Sequence, residues 1–278
     1  MSTLILQGPQ LTLDLANQIA QQTHTELHPQ GQGYRLYGRQ PFSPQTLARL
    51  RSTYEGVDIN LLPEGYHPEQ VRLLVTDMDS TFINIECINE IAAFFGKETQ
   101  VSRITAAAMR GEINFETSLI QRVALLRGVP ANVLAEIYEK RLAVNPGGEA
   151  LLATLRQRGL KIALVSGGFT YFTERLKQEY NLDYTLANQL EIKNNRLTGT
   201  VVGSIVGATA KARFLQRLCK ELDIETRQTV AIGDGANDLE MLRVAGLSVA
   251  YHAKPKVQAE AHVALNHSAL DGVLPFLF

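Results

Sequence analysis

An apolar run that ends in two acids constrains how this chain can fold. Val71-Arg72-Leu73-Leu74-Val75-Thr76 has the near-continuous hydrophobicity of a strand buried on both faces, and Asp77-Met78-Asp79-Ser80-Thr81 follows at once. Such strands belong to parallel sheets covered by helices, and these sheets carry their chemistry at the carboxyl ends of the strands. Residues two apart in an extended segment point the same way, so Asp77 and Asp79 address one small volume. One can attack while the other handles a proton. The same residue types also make ordinary turns and helix N-caps, so the pair needs support from elsewhere in the chain.

That support comes in order. Ser166-Gly167-Gly168 follows the apolar run 161–165, Lys211 sits in the first turn of a predicted helix over 209–222, and Gly233-Asp234-Gly235-Ala236-Asn237-Asp238 follows the apolar run 229–232. Further strands are expected at 247–250 and 263–265, and Asn194-Asn195 marks a hairpin turn. Strands alternating with helices predict a right-handed, mostly parallel three-layer α/β sheet of Rossmann-like type. Between Asp79 and residue 161 no strand pattern resumes. A connection that long must be a folded insertion, and its periodicity is helical over 86–95, 98–109, 115–126 and 131–141. A helical cap at about 82–145 is therefore expected, leaving from the loop that holds the two acids.

Residues 1–66 mix strand-like pieces (4–6, 34–37, 57–61) with helix-like ones (11–22, 44–54), which predicts a small α+β domain. Pro63-Glu64-Gly65-Tyr66-His67-Pro68 reads as a linker to a main domain at 67–278. The N-terminal unit shows no catalytic constellation, and a regulatory role for it is left open.

A net charge of −1 without long single-sign runs gives no reason to expect a nucleic acid or an anionic membrane as partner. No apolar run reaches membrane-spanning length, and the first residues lack a basic n-region followed by an apolar stretch. Cys87 and Cys219 have no metal-ligand spacing and are too few for a disulfide framework. Both are expected as free thiols, and a cytoplasmic protein is the simplest expectation. The sequence leaves a homodimer open.

Acids at strand ends, with a serine, two glycines and a lysine, suit a phosphate and a hard cation. Mg²⁺ takes oxygen ligands from one or two carboxylates and the substrate phosphate. Asp77 and Asp234 are the expected side-chain ligands, with Asp79 contributing its backbone carbonyl. Ser166 can donate to a phosphate oxygen, and Gly167 and Gly168 expose N–H groups unobstructed by side chains. A lysine near a helix start is disfavoured by the helix dipole unless an anion compensates, which makes Lys211 more than a solvated side chain.

Singly, each of these motifs is weak, but the ordered set resembles the haloacid dehalogenase-like phosphatases, and within them the phosphoserine phosphatases. The resemblance covers roughly residues 71–266, cap included, and leaves the N-terminal unit outside. It implies Mg²⁺-dependent hydrolysis of O-phospho-L-serine, the last step of serine biosynthesis, with Asp77 as nucleophile, Asp79 as general acid and base, and Lys211 stabilising charge. Ser166, Gly167, Lys211 and Asn237 would line the phosphate site, with Asp238 orienting Lys211. Glu86, Met109, Phe115 and Arg122 fall where these enzymes hold the amino acid, Glu86 for the ammonium and Arg122 for the carboxylate. Two alternatives stay open: a phosphotransferase that passes the phosphoryl group to another amino-acid alcohol, and a non-catalytic sensor.

Overall fold

The computed structural model describes residues 2–110 and 112–278, apart from the Met109 side chain. The chain begins with β1 (Ser2–Gln7), α1 (Leu13–Thr23), β2 (Glu26–Gln30), β3 (Gly33–Gly38), α2 (Pro44–Thr53) and β4 (Asp58–Leu61). The four strands form an antiparallel sheet in the order β2-β3-β1-β4, the split β-α-β arrangement. Both helices start as their sequences dictate: Thr12 and Ser43 cap them by accepting the N–H of Leu15 and Thr46. Strand β2 was not foreseen, because Glu-Leu-His-Pro-Gln offers a proline and little apolar alternation.

The period-two rule then decides what the small sheet does. Leu4 and Leu6 point to the two helices and pack with Ala16, Ile19, Leu36 and Ile59, whereas Ile5 points the other way and joins the main core with Val71, Leu270 and Val273. The opposite face is therefore a docking face. On it the buried Asp58 carboxylate accepts the N–H groups of Asn266 (2.8 Å), His267 (3.2 Å) and Ser268 (2.8 Å). Asn60 exchanges two side-chain hydrogen bonds with the Ala264 backbone, and Gln7 Nε2 donates to the Gly272 carbonyl. The segment 63–68 links two bodies that are already joined face to face. Asp58→Ala would leave three N–H groups without their charged acceptor and should lower stability by about 2–4 kcal/mol in chemical denaturation; a change below about 0.5 kcal/mol would show that the apolar contact alone holds the faces together.

After a 3-10 turn comes β5 (Leu73–Thr76), all four residues buried. The cap helices follow: α3 (Cys87–Ala93), α4 (Glu98–Met109), α5 (Phe115–Ala124) and α6 (Asn132–Lys140). The main chain then continues with α7 (Gly148–Gln157), β6 (Lys161–Phe169), α8 (Thr170–Tyr180), β7 (Tyr184–Lys193), β8 (Arg196–Val202), α9 (Ala208–Glu221), β9 (Thr229–Gly233), α10 (Leu239–Val244), β10 (Leu247–Tyr251), α11 (Pro255–Glu260) and β11 (Val263–Leu265). Seven strands order as β11-β10-β9-β5-β6-β7-β8, parallel except for the β7–β8 hairpin, whose turn residues Asn194 and Asn195 have φ of 51° and 58°. Two buried clusters, one on each face, hold the helices to this sheet, which is the expected three-layer architecture. Strand β5 lies between β9 and β6, so Asp77, Asp234 and the Ser166 segment of β6 lie side by side.

The cap leaves and returns through one narrow seam. Ile83 and Val144 form an antiparallel bridge, and Asn145 Nδ2 donates to the carbonyls of Thr81 and Ile83. A second attachment lies on the far side, where Gly128 N–H donates to Leu197 O and Leu197 N–H to Val129 O. The β7–β8 hairpin thus backs the cap.

Candidate active site

The turn after β5 is built on one carbonyl. Met78 O accepts the N–H groups of Thr81, Phe82 and Ile83, while Asp77 N–H continues the sheet by donating to Ile232 O. The Asp79 carbonyl stays outside this network among the described residues. Asp77 and Asp79 emerge with different partners. Asp77 Oδ1 accepts from Lys211 Nζ at 2.6 Å, whereas Asp79 Oδ1 accepts from the Cys87 N–H at 2.7 Å and Asp79 Oδ2 from Ser166 Oγ at 2.9 Å.

Lys211 is wholly inaccessible to solvent, and its ammonium also donates to Asp238 Oδ1 at 2.6 Å. It stands on the first turn of α9, where the dipole opposes a cation, and the two carboxylates overcome that cost. Burial alone would lower the lysine's proton affinity, but Asp238 and Asp77 outweigh it and hold the ammonium charged. Asp238 is fixed in turn, since its Oδ2 accepts the Gly235 N–H at 3.0 Å.

Carboxylate oxygens of Asp77, Asp234 and Asp238 lie within 4.8 Å of one another, and this cluster can hold a metal ion. Its crowding is electrostatically costly. Burial, then Asp238, drives the Asp77 carboxyl well above its ordinary range, with Lys211 offsetting only part. Asp234 is pushed up to about 6 by burial and Asp238, against the lowering effects of Lys254 and of the Thr81 hydroxyl. An all-oxygen set short of positive charge suits a hard divalent cation. The sequence suggested the side chains of Asp77 and Asp234 with the backbone carbonyl of Asp79 as metal ligands, and Asp238 as support. The converging side chains include Asp238, and the Asp79 carboxylate is turned to Ser166 and the start of α3, so only its backbone carbonyl stays open in that role.

The Ser166-Gly167-Gly168 stretch belongs to β6 itself, at a register shift between Val165 and Phe169. Ser166 Oγ accepts the Gly168 N–H at 2.7 Å while donating to Asp79. Both glycines are closely approached. A Cβ on Gly168 would stand 2.4 Å from Asp79 Oδ2, and one on Gly167 would stand 2.7 Å from Phe115 Cζ. Phe115, the first residue of α5, therefore rests on the phosphate-loop candidate from the cap side, and it also borders a cavity of about 730 Å³ beside Gly207 and the start of α9.

Glu86 and Arg122 face the same region from the cap. Glu86, the N-cap of α3, is exposed by surface area, yet desolvation by the surrounding protein and the Asp79 charge push its carboxyl up to about 7. Arg122 is half-buried one turn beyond Ser118, whose carbonyl accepts from its Nε at 3.3 Å; burial lowers its proton affinity, and Glu86 and Asp79 counteract that. Asn237 is half-buried in the 3-10 turn after Asp234. Met109 closes α4, and its side chain is outside the described residues.

Four residues at the site went unassigned in the sequence. Thr81, fully buried, donates to Asp234 Oδ1 at 3.2 Å, and Cys87 supplies the N–H that Asp79 accepts. Lys254 donates its backbone N–H to Asp234 O, and its charge is felt at Asp234 and Glu86. Ser80 touches Glu86. Thr81 and Ser80 lie inside the quoted motif, so their position was the available signal; Lys254 gave none beyond preceding a proline.

A family model for haloacid dehalogenase-like hydrolases matches residues 74–243. A phosphoserine phosphatase of Polaromonas sp. is 47% identical over 224 residues, covering 79% of this chain and 95% of that protein. Among solved structures, a haloacid dehalogenase family hydrolase from Salmonella enterica serovar Typhi superposes with a TM-score of 0.90 at 32% identity, over 100% of this chain and 98% of its own. A phosphoserine phosphatase in the form of a phospho-aspartyl intermediate analogue gives 0.71 at 38% identity, over 75% of this chain and 99% of its own. The matched segment contains Asp77, Ser166, Lys211 and Asp234 in one run. The chain belongs to the haloacid dehalogenase-like hydrolase family.

Proposed function

We infer that this chain is a phosphoserine phosphatase, hydrolysing O-phospho-L-serine to serine and phosphate through an aspartyl-phosphate on Asp77. The observation that carries this reading is the division of partners at the end of β5: Asp77 lies against a buried ammonium, whereas Asp79 lies against a hydroxyl and a backbone N–H. A carboxylate beside a fixed cation suits a nucleophile that approaches an anionic phosphate; one beside a hydroxyl suits proton transfer. The close relatives carry the same activity in name.

In the first step the Asp77 oxygen attacks phosphorus and the serine oxygen leaves. Protonated Asp79 supplies the proton, because an alkoxide leaves poorly. With substrate bound, Ser166 turns its hydroxyl from Asp79 to the phosphoryl oxygens. In the second step Asp79 takes a proton from the water that attacks the acyl phosphate. Lys211 stabilises charge on the transferring group, and Asp238 keeps it aimed. Mg²⁺ is the proposed cation, held by Asp77, Asp234 and the Asp79 carbonyl, and when bound it neutralises phosphate charge.

Glu86 receives the substrate ammonium, Arg122 its carboxylate, and Phe115 walls the site. We take residues 67–278 as the catalytic domain, with its cap at about 82–145, and residues 1–66 as a separate unit. Two buried free thiols fit a reducing cytoplasm.

Phosphate release from phosphoserine with Mg²⁺, lost on chelation, tests the activity. Arg122→Ala tests the substrate: an Arg–carboxylate contact is worth on the order of 1.5–3 kcal/mol, so the phosphoserine to aryl phosphate ratio of kcat/KM should fall roughly 10- to 100-fold. Equal losses on the two substrates would make Arg122 structural.

A further inference from the structure

We propose that Ser80 is a positioning residue for substrate selection: its hydroxyl fixes one oxygen of Glu86 so that the other faces the substrate ammonium. The proposal rests on the reading of Glu86 given above, and its own support is geometric. Ser80 has φ of 58°, the left-handed region that a side chain enters at a cost and glycine enters freely. A serine kept there points to a use for its hydroxyl. That hydroxyl donates to Glu86 Oε1 at 2.8 Å.

The contact belongs to a clamp between the catalytic loop and the first turn of the cap. Ser80 N–H donates to Ile85 O at 3.2 Å, and the next tie is the Cys87 N–H on Asp79 Oδ1 at 2.7 Å. Glu86 lies between these two anchored neighbours, so its backbone is placed by the same loop that carries the nucleophile and the acid. Its side chain has several rotatable bonds and an exposed position, and the Ser80 hydroxyl is the hydrogen bond that selects one direction for it. Occupying Oε1 leaves Oε2 for a second donor, and a carboxylate accepts from two donors without strain. The hydroxyl also favours the charged form of Glu86, against burial and Asp79, which act the other way. Ser80 further borders a cavity of about 460 Å³ with Asn145, His252 and Ser268, so its outer side has room and the hydroxyl is not forced inward by packing.

Ser80→Gly is the clean test, because glycine accepts the backbone conformation and removes only the hydroxymethyl group. The ratio of phosphoserine to small aryl phosphate kcat/KM should fall about fivefold or more, chiefly through KM for phosphoserine. Glu86→Gln should lower the same ratio further, and adding Ser80→Gly to it should change the ratio by less than about twofold. Equal losses on both substrates, no loss on phosphoserine, or full additivity in the double variant would overturn the role of Ser80. If Glu86→Gln itself left the ratio untouched, the assignment of Glu86 to the ammonium would fall, and the role of Ser80 with it.

Discussion

Asp77→Asn should abolish turnover, by on the order of 10⁴-fold or more, while leaving the fold at least as stable as the parent in the absence of divalent cations. The sign of the stability change follows from the site. Burial and Asp238 raise the proton affinity of Asp77, so its charge costs more in the folded state than in the unfolded chain, and a neutral amide of the same shape removes that cost and relieves repulsion within the acid cluster. Lys211 keeps a hydrogen-bond acceptor at the same place. Thermal unfolding in a chelating buffer would therefore show an unchanged or higher midpoint beside the lost activity. A variant that was inactive because it had unfolded would refute this electrostatic description of the site.

Lys211→Ala should fail in both respects. The ammonium is the one cation within hydrogen-bond reach of both Asp77 and Asp238 among the described residues, and removing it leaves two buried carboxylates uncompensated. Breaking a buried pair in this way typically costs about 3–5 kcal/mol. Loss of a charge that stabilises the transferring phosphoryl group should cut kcat by roughly 10²–10³ or more. Combining the change with Asp77→Asn should recover part of the stability and none of the activity, measured by chemical denaturation without metal and by phosphate release. A single Lys211→Ala variant as stable as the parent would mean that the carboxylates are already protonated in the folded state.

The parts of the site that were legible in the sequence share one property: each is local. An apolar run followed at once by Asp77-Met78-Asp79 announces a strand end, and glycine pairs beside a serine announce a backbone that must be approached closely. The helices of the cap followed from periodicity, and α4 has the predicted bounds of residues 98 and 109. What sequence spacing could not supply was which groups meet. Lys211 bridges two acids that lie 134 and 27 residues from it along the chain, and no periodicity encodes that pairing. The same holds for Asp238, whose carboxylate converges with those of Asp77 and Asp234 while the side chain of Asp79 turns elsewhere.

The N-terminal unit shows how a correct pattern can mislead. In Val57-Asp58-Ile59-Asn60 the apolar and polar residues alternate, which ordinarily marks one buried and one solvated face. Both polar residues are buried, at 3% and 1% exposure, because their face meets the backbone of residues 264–268 and side-chain hydrogen bonds replace water. A strand facing another body through polar groups carries the same alternation as one facing solvent. Only the partner distinguishes them.

The central claim is that hydrolysis passes through a covalent phosphate on one named carboxylate. Enzyme mixed with phosphoserine and Mg²⁺, quenched in acid during turnover and reduced with borohydride, would have any acyl phosphate converted to an alcohol, and peptide mass spectrometry would locate it. The account predicts homoserine in place of aspartate at position 77. Reduction at Asp79, Asp234 or Asp238, or continued phosphate release with no carboxylate ever reduced, would contradict it.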